Sequence, residues 1–213
     1  MTVWTIDAEP GIDGLRIALD LAEQVGVPVI EGQLVVGAAL AVDTTVADVL
    51  DLERAAAGRL RRFALALGMS TRAAPELARE LQRIKDGKAA LERAAKAAAR
   101  EPCVIVGRCA FVTLRQHPGA VHVRIRAPRD WRAGRRAAEG CVSLHEARRA
   151  IAREDRARRA AMRRVHGQAA DDVSAFHLVC DASRVPHASI VELLASLAPG
   201  RRPVQLARIR GDA

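Results

Sequence analysis

At 213 residues, half of them apolar but only five aromatic, the chain is long enough for one large domain whose core must come from Ala, Leu, Val and Ile rather than rings. The formal net charge of +9 is localised: residues 126–164 carry thirteen Arg against five acids, residues 201–213 carry four Arg against one, and the remainder is slightly acidic, so a near-neutral body bears one basic segment and a basic tail. No apolar run approaches the roughly 20 residues of a membrane span, the N-terminus lacks the order of a signal peptide, and Cys103, Cys109, Cys141 and Cys180 show no C-x-x-C pairing; the expectation is a cytoplasmic protein with reduced thiols, no membrane partner and no zinc or other metal site.

Val3 to Ile6 reads as a first strand, and Gly14 to Val25 as a helix with Ile17 and Leu21 facing a sheet. Val27 to Ile30 reads as a second strand. Strand, glycine-containing loop, helix and strand open a βαβ unit, which predicts parallel pairing of the two strands. Apolar residues then recur at helical spacing from Thr45 to Leu67 and from Ala74 to Ala99.

Val104 to Val106 is a short β-branched run between Pro102 and Gly107, the length of one buried strand. Arg108 lies just past its carboxyl end, the edge at which open parallel sheets bind ligands, although an arginine opening the next helix into solvent fits the local pattern equally. Phe111 to Gln116 continues a helix that His117, Pro118 and Gly119 end, and Ala120 to Ile125 is the next strand. His117 and His122 have no cysteine or acidic partner at ligand spacing and read as structural.

Pro128 opens a helix that breaks between Glu139 and Val142. Ser143 to Val165 is helical again, with Ser143 and Glu146 in the S-x-x-E capping arrangement. His177 to Cys180 is a last strand, Ala188 to Leu197 a closing helix, and residues 199–213 a basic tail on a single domain spanning 1–198.

CVIVGRCA at 103–110, HVRIRAPRDWRAGRR at 122–136, EDRARR at 154–159 and HLVCDASR at 177–184 follow one another in an order that resembles the cytidylate kinase-like family, a branch of the P-loop nucleoside-monophosphate kinases. The resemblance implies a P-loop NTPase-like α/β fold in three layers. It has a mainly parallel five-stranded sheet, a helical insert at about 43–100 and an arginine-rich lid at about 128–166. It implies phosphoryl transfer from ATP with Mg²⁺ to a nucleoside monophosphate or similar small anion. Arg132, Arg135, Arg153, Arg156 and Arg158, with Asp155, would form the lid that neutralises the transferring phosphoryl group, and Arg108 would hold the acceptor phosphate.

Against that pattern the phosphate loop is eroded. A working loop has G-x-x-x-x-G-K-[ST], its lysine reaching the terminal phosphates and its hydroxyl the Mg²⁺. Asp7 to Ala18, DAEPGIDGLRIA, retains Gly11 and Gly14 but has no lysine and no hydroxyl at the helix start. Ile12, Asp13 and Leu15 stand where the family's own serine-rich loop has Ser, Gly and Arg; Arg16 could substitute for the displaced arginine. Asp7, Glu9 and Asp13 are expected to repel a polyanion, two unit charges about 4 Å apart costing about 4 kcal/mol at an effective dielectric near 20. Asp13 can equally cap the helix that follows.

Further departures are Glu31 and Gly32 in place of the family's Asp-Arg pair, Ala161 and Met162 in place of its aromatic pair after the last lid arginine, and Ala160 in place of the arginine before that pair. Three readings remain open: a weak or inactive nucleotide or anion binder (a pseudokinase), an active kinase with a non-standard loop, and a non-enzymatic polyanion-binding or regulatory module whose arginine helix attracts nucleic acid without sequence preference.

Overall fold

A computed structural model describes residues 2–31, 88–107, 109–163, 167 and 172–198. Arg108, Gly32, the helical stretch expected from Thr45 to Leu67, the first part (74–87) of the one expected from Ala74 to Ala99, the end of the expected lid and the basic tail lie outside these residues, while 88–98 of that second stretch is helical as expected. The strands are β1 (Val3–Ala8), β2 (Val29–Ile30), β3 (Cys103–Val106), β4 (Ala120–Arg126) and β5 (Leu178–Asp181). The helices are α1 (Gly14–Val25), α2 over residues 88–98, α3 (Ala110–Thr113), α4 (Arg129–Gly140), α5 (Leu144–Ala161) and α6 (His187–Ser196).

The five strands form one sheet in the order β2-β3-β1-β4-β5, and every pairing is parallel. The expected pairing of the first two strands is corrected here. Strand β3 lies between β1 and β2, because its run of buried Cys103, Val104 and Ile105 is apolar towards both faces and takes a central place. Strand β1 therefore has β3 on one side and β4 on the other, and the chain leaves its carboxyl end at the switch in strand order where such sheets bind ligands.

Alternation along β1 and β4 sorts side chains between two covered faces. Trp4, Ile6, Val123 and Ile125 pack with Ile17, Leu21, Ile190 and Leu194 of α1 and α6, where the Trp4 indole donates to the Leu194 carbonyl at 3.1 Å. Val3, Ile105 and Ala120 pack on the other face with Ala95, Ala99 and Leu114. The result is the expected three-layer arrangement.

Element ends differ from the expectation in ways that matter for the site. Strand β1 runs on through Asp7 and Ala8, which pair with Arg124 and Ile125. Of Val27 to Ile30 only Val29 and Ile30 join the ladder, since the Val27 N–H is drawn back to Ala22 O. Helix α4 persists to Gly140 and stops at Cys141, whose left-handed φ of 48° turns the chain. Ser143 and Glu146 then form the reciprocal capping box that starts α5, so that α4 and α5 make an antiparallel hairpin.

Candidate functional site

The site is built where β1 and β4 end. Thr5, Asp7, His122 and Arg124 share the face of Val3 and Ala120, paired across the strands as Thr5 with His122 and Asp7 with Arg124. This face thus grades from apolar to charged towards its carboxyl edge. Arg124 is buried, donates to Asp7 Oδ2 at 2.7 Å and to Glu9 Oε1 at 3.2 Å, and lies over the Phe176 ring, which packs against Phe111. Glu9 also accepts from the Ala127 N–H at 3.2 Å.

The α4–α5 hairpin closes over this edge. Arg132, 6% exposed in its side chain, spends every guanidinium nitrogen on the protein. Nε donates to Ala127 O at 3.0 Å, Nη1 to Pro10 O at 2.9 Å, and Nη1 and Nη2 grip the two Asp155 oxygens at 3.0 and 3.1 Å. Its Nε is also 3.4 Å from Glu9 Oε2. Arg158, one turn beyond Asp155, donates to Asp7 Oδ2 at 2.5 Å. Asp155 has a further, more distant cation in Arg129 at 3.6 Å. A carboxylate held between a strand arginine and a hairpin arginine fastens three segments together, and burial makes each partner costly to remove.

The repulsion expected of the loop acids is therefore corrected. Asp7 and Glu9 are matched by Arg124, Arg132 and Arg158, and Asp13 takes no part, because its side chain caps α1 by accepting from the Arg16 N–H at 2.9 Å. Inside the loop, Ile12 N donates to Glu9 O and Gly14 N to Ile12 O, while Glu9 N donates to Ile125 O. Gly11 has φ +88°, and a Cβ there would stand 2.8 Å from Ile151 Cδ1 and 3.1 Å from both Cβ and O of Arg132. Only glycine admits the hairpin so close. Gly14 serves the opposite contact: a Cβ would fall 2.6 Å from that of Ala8, so its absence lets α1 start against the end of β1.

The other residues singled out from the sequence are dispersed. Arg16 is turned along α1 to Asp20, which also meets His187 Nε2 at 2.6 Å; that hydrogen bond, chiefly, holds the Asp20 carboxyl below its usual range. Arg135 pairs with Glu139 and lies over Trp131. Arg153 and Arg156 are exposed on α5. Among the described residues no group of three or more His, Cys, Asp or Glu could hold a metal, no disulfide is formed, and no helix is long and apolar enough to cross a membrane. Burial pushes the Cys103 thiol up to about 11, and Met162 packs with Phe111 beside the Cys109 thiol.

Arg124 and Thr5 are the polar groups that sequence reasoning missed, Thr5 being the partner of His122, which reads as structural. Both strands carry a signal: Asp7 and Arg124 are charges inside otherwise apolar runs, and a buried charge requires a partner. His122 accepts from or donates to Thr5 Oγ1 at 2.8 Å through Nδ1 and stacks on His177. Burial, aided by His177, lowers its pKa to about 4 against a small opposing pull from the Leu114 carbonyl.

An all-parallel five-stranded α/β sheet, with a glycine loop leaving its central strand and an arginine hairpin above it, defines the fold of the P-loop kinases. The chain belongs to the cytidylate kinase-like family, whose sequence model matches residues 3–184. No curated protein matches the sequence. Among solved structures, an uncharacterized protein from Eubacterium ventriosum ATCC 27560 is 17% identical with a TM-score of 0.64, over 91% of this chain and 95% of that one. Shikimate kinase from Bacteroides thetaiotaomicron is 14% identical with a TM-score of 0.49, over 92% of this chain and 97% of that one.

Proposed function

We propose that this cytidylate kinase-like protein retains an anion pocket but binds Mg·ATP weakly or not at all, so that phosphoryl transfer to a nucleoside monophosphate is slow or absent. The observation that carries this reading is the pairing of Asp7 and Glu9 with Arg124, Arg132 and Arg158. In a phosphoryl-transfer site, cations are held ready for charge that arrives with the nucleotide. Here the loop brings its own carboxylates to those cations.

Mg·ATP fits the described loop poorly on three further counts. Gly14, Leu15 and Arg16 begin α1 without lysine or hydroxyl, the N–H groups of Ile12 and Gly14 are engaged within the loop, and Ile151 and Arg132 abut Gly11 where a phosphate cradle would need open space. The residues left for a small anion are the exposed lid cations Arg153 and Arg156, with Arg108 as the acceptor-side candidate from the sequence. Phosphoryl chemistry requires no covalent nucleophile, so activity stands or falls on positioning and charge.

Calorimetric titration with Mg·ATP, using inorganic tripolyphosphate as the control anion, tests the proposal. The expected result is no binding, or equal binding of both. Saturable ATP binding that tripolyphosphate does not reproduce, with CMP-dependent ATP consumption, overturns it and establishes an active kinase with a non-standard loop. A polyanion-binding role is favoured by a separate observation, the arginines of α5 that no carboxylate takes up.

A further inference from the structure

The hairpin divides its arginines into two populations. Arg129, Arg132, Arg135, Arg136, Arg148 and Arg158 each face a carboxylate. Arg149, Arg153, Arg156, Arg159 and Arg163 form no ion pair with a described residue. The first four lie on α5, spaced four, three and three residues apart, the spacing of one helical stripe, and Arg163 follows four residues on in the π turn beyond the end of α5. Ala147, Ile151, Asp155 and Met162, which are buried, and Arg158, which reaches Asp7, mark the opposite side. The stripe therefore points away from the sheet and the loop, and at about 1.5 Å per residue it is about 21 Å long.

We propose that this outer face of α5 docks along the phosphodiester backbone of a nucleic-acid duplex without reading its sequence. This deepens the polyanion reading above and is independent of what the loop binds. A duplex presents about one charge per 1.7 Å of axis, so a 21 Å row of guanidinium groups meets a continuous line of phosphates, and each contact releases condensed counterions. The positions interleaved on the stripe, Ala152 and Ala160, are small. They offer no ring for stacking on an unpaired base and no large apolar side chain to enter a bilayer, which an interfacial helix needs. A smooth charged row of this kind fits the outside of a duplex better than either alternative. Arg supplies bidentate geometry to phosphate oxygens at each step.

The test is fluorescence anisotropy with mixed-sequence duplexes of about 20 base pairs, one of DNA and one of RNA, from roughly 50 to 200 mM salt. Five contacts predict a slope of log affinity against log salt near −4.5, a loss of about 500-fold across that range. The triple variant Arg149→Gln, Arg153→Gln, Arg156→Gln is expected to reduce the slope to about −2, whereas the corresponding three Lys replacements keep it. The thermal midpoint reports that each variant is folded. Preference for DNA or RNA duplex identifies the source of the backbone. Absence of binding at the lowest salt, an unchanged slope in the Gln variant, or binding only to vesicles of anionic lipid overturns the proposal. Tripolyphosphate titration of an Arg149→Gln, Arg159→Gln double variant, which leaves Arg153 and Arg156 in place, keeps the two readings apart: its salt slope on duplex should fall to about −2.7 while its response to the small anion stays that of the parent.

Discussion

Removing the Arg132 guanidinium should cost more stability than any surface arginine of the hairpin. At an effective dielectric near 20, unit charges 3.0 Å apart, the Arg132 to Asp155 distance, attract by about 5 kcal/mol. Desolvation offsets much of that in the intact protein. In Arg132→Met, however, Asp155 stays buried, 8% exposed in its side chain, with only Arg129 at 3.6 Å, and the Pro10 and Ala127 carbonyls lose their donor. Leaving one partner of a buried pair uncompensated costs about 3 to 5 kcal/mol. For a chain of this length that lowers the thermal midpoint by about 6 to 20 °C. Urea unfolding of Arg132→Met, Asp155→Leu and the double variant gives the coupling directly; we expect at least about 2 kcal/mol, the double variant being less destabilised than the singles together imply. A coupling below about 0.5 kcal/mol would refute the argument that this pair fastens the hairpin to the loop. Arg148→Met, whose partner Asp130 is exposed, serves as the comparison and should cost under about 1 kcal/mol.

Gly11→Ala should lose about 2 to 4 kcal/mol, because φ +88° strains any side chain and the new Cβ meets Ile151 and the Arg132 backbone; calorimetry of unfolding measures it, and hydrogen exchange should rise first in α4 and α5. His122 titrates near 4 in the folded chain against about 6.5 unfolded. Its folded value is the lower one, so between these values the unfolded chain binds the extra proton and stability falls as pH drops from about 6.5 to 4. The loss is about 3 kcal/mol at most, and His122→Gln should flatten that part of the stability profile measured by urea titration. Mg·ATP and tripolyphosphate should give matching or absent heats. The arginine stripe should lose about three-fifths of its salt dependence in the triple Gln variant.

The sequence by itself determined the strand and helix succession and the family, because these rest on local signals: β-branched runs set strands, Gly and Pro bound them, and the S-x-x-E box starts α5 where it was expected. It also shows that residues 7–18 hold no lysine and no hydroxyl side chain, since identity at a position needs no coordinates. Only the tertiary structure decided what the loop acids do. Asp7 and Glu9 look repulsive when read along the chain, yet β4 and α5 carry their partners 117 and 151 residues away from Asp7. Such distant pairs leave no trace in periodicity. Likewise the arginines of residues 126–164 are one basic run in sequence, and it is the packing of one side of α5 against loop and sheet that commits Arg132 and Arg158 to the carboxylates of Asp155 and Asp7 while Arg149, Arg153 and Arg156 stay exposed.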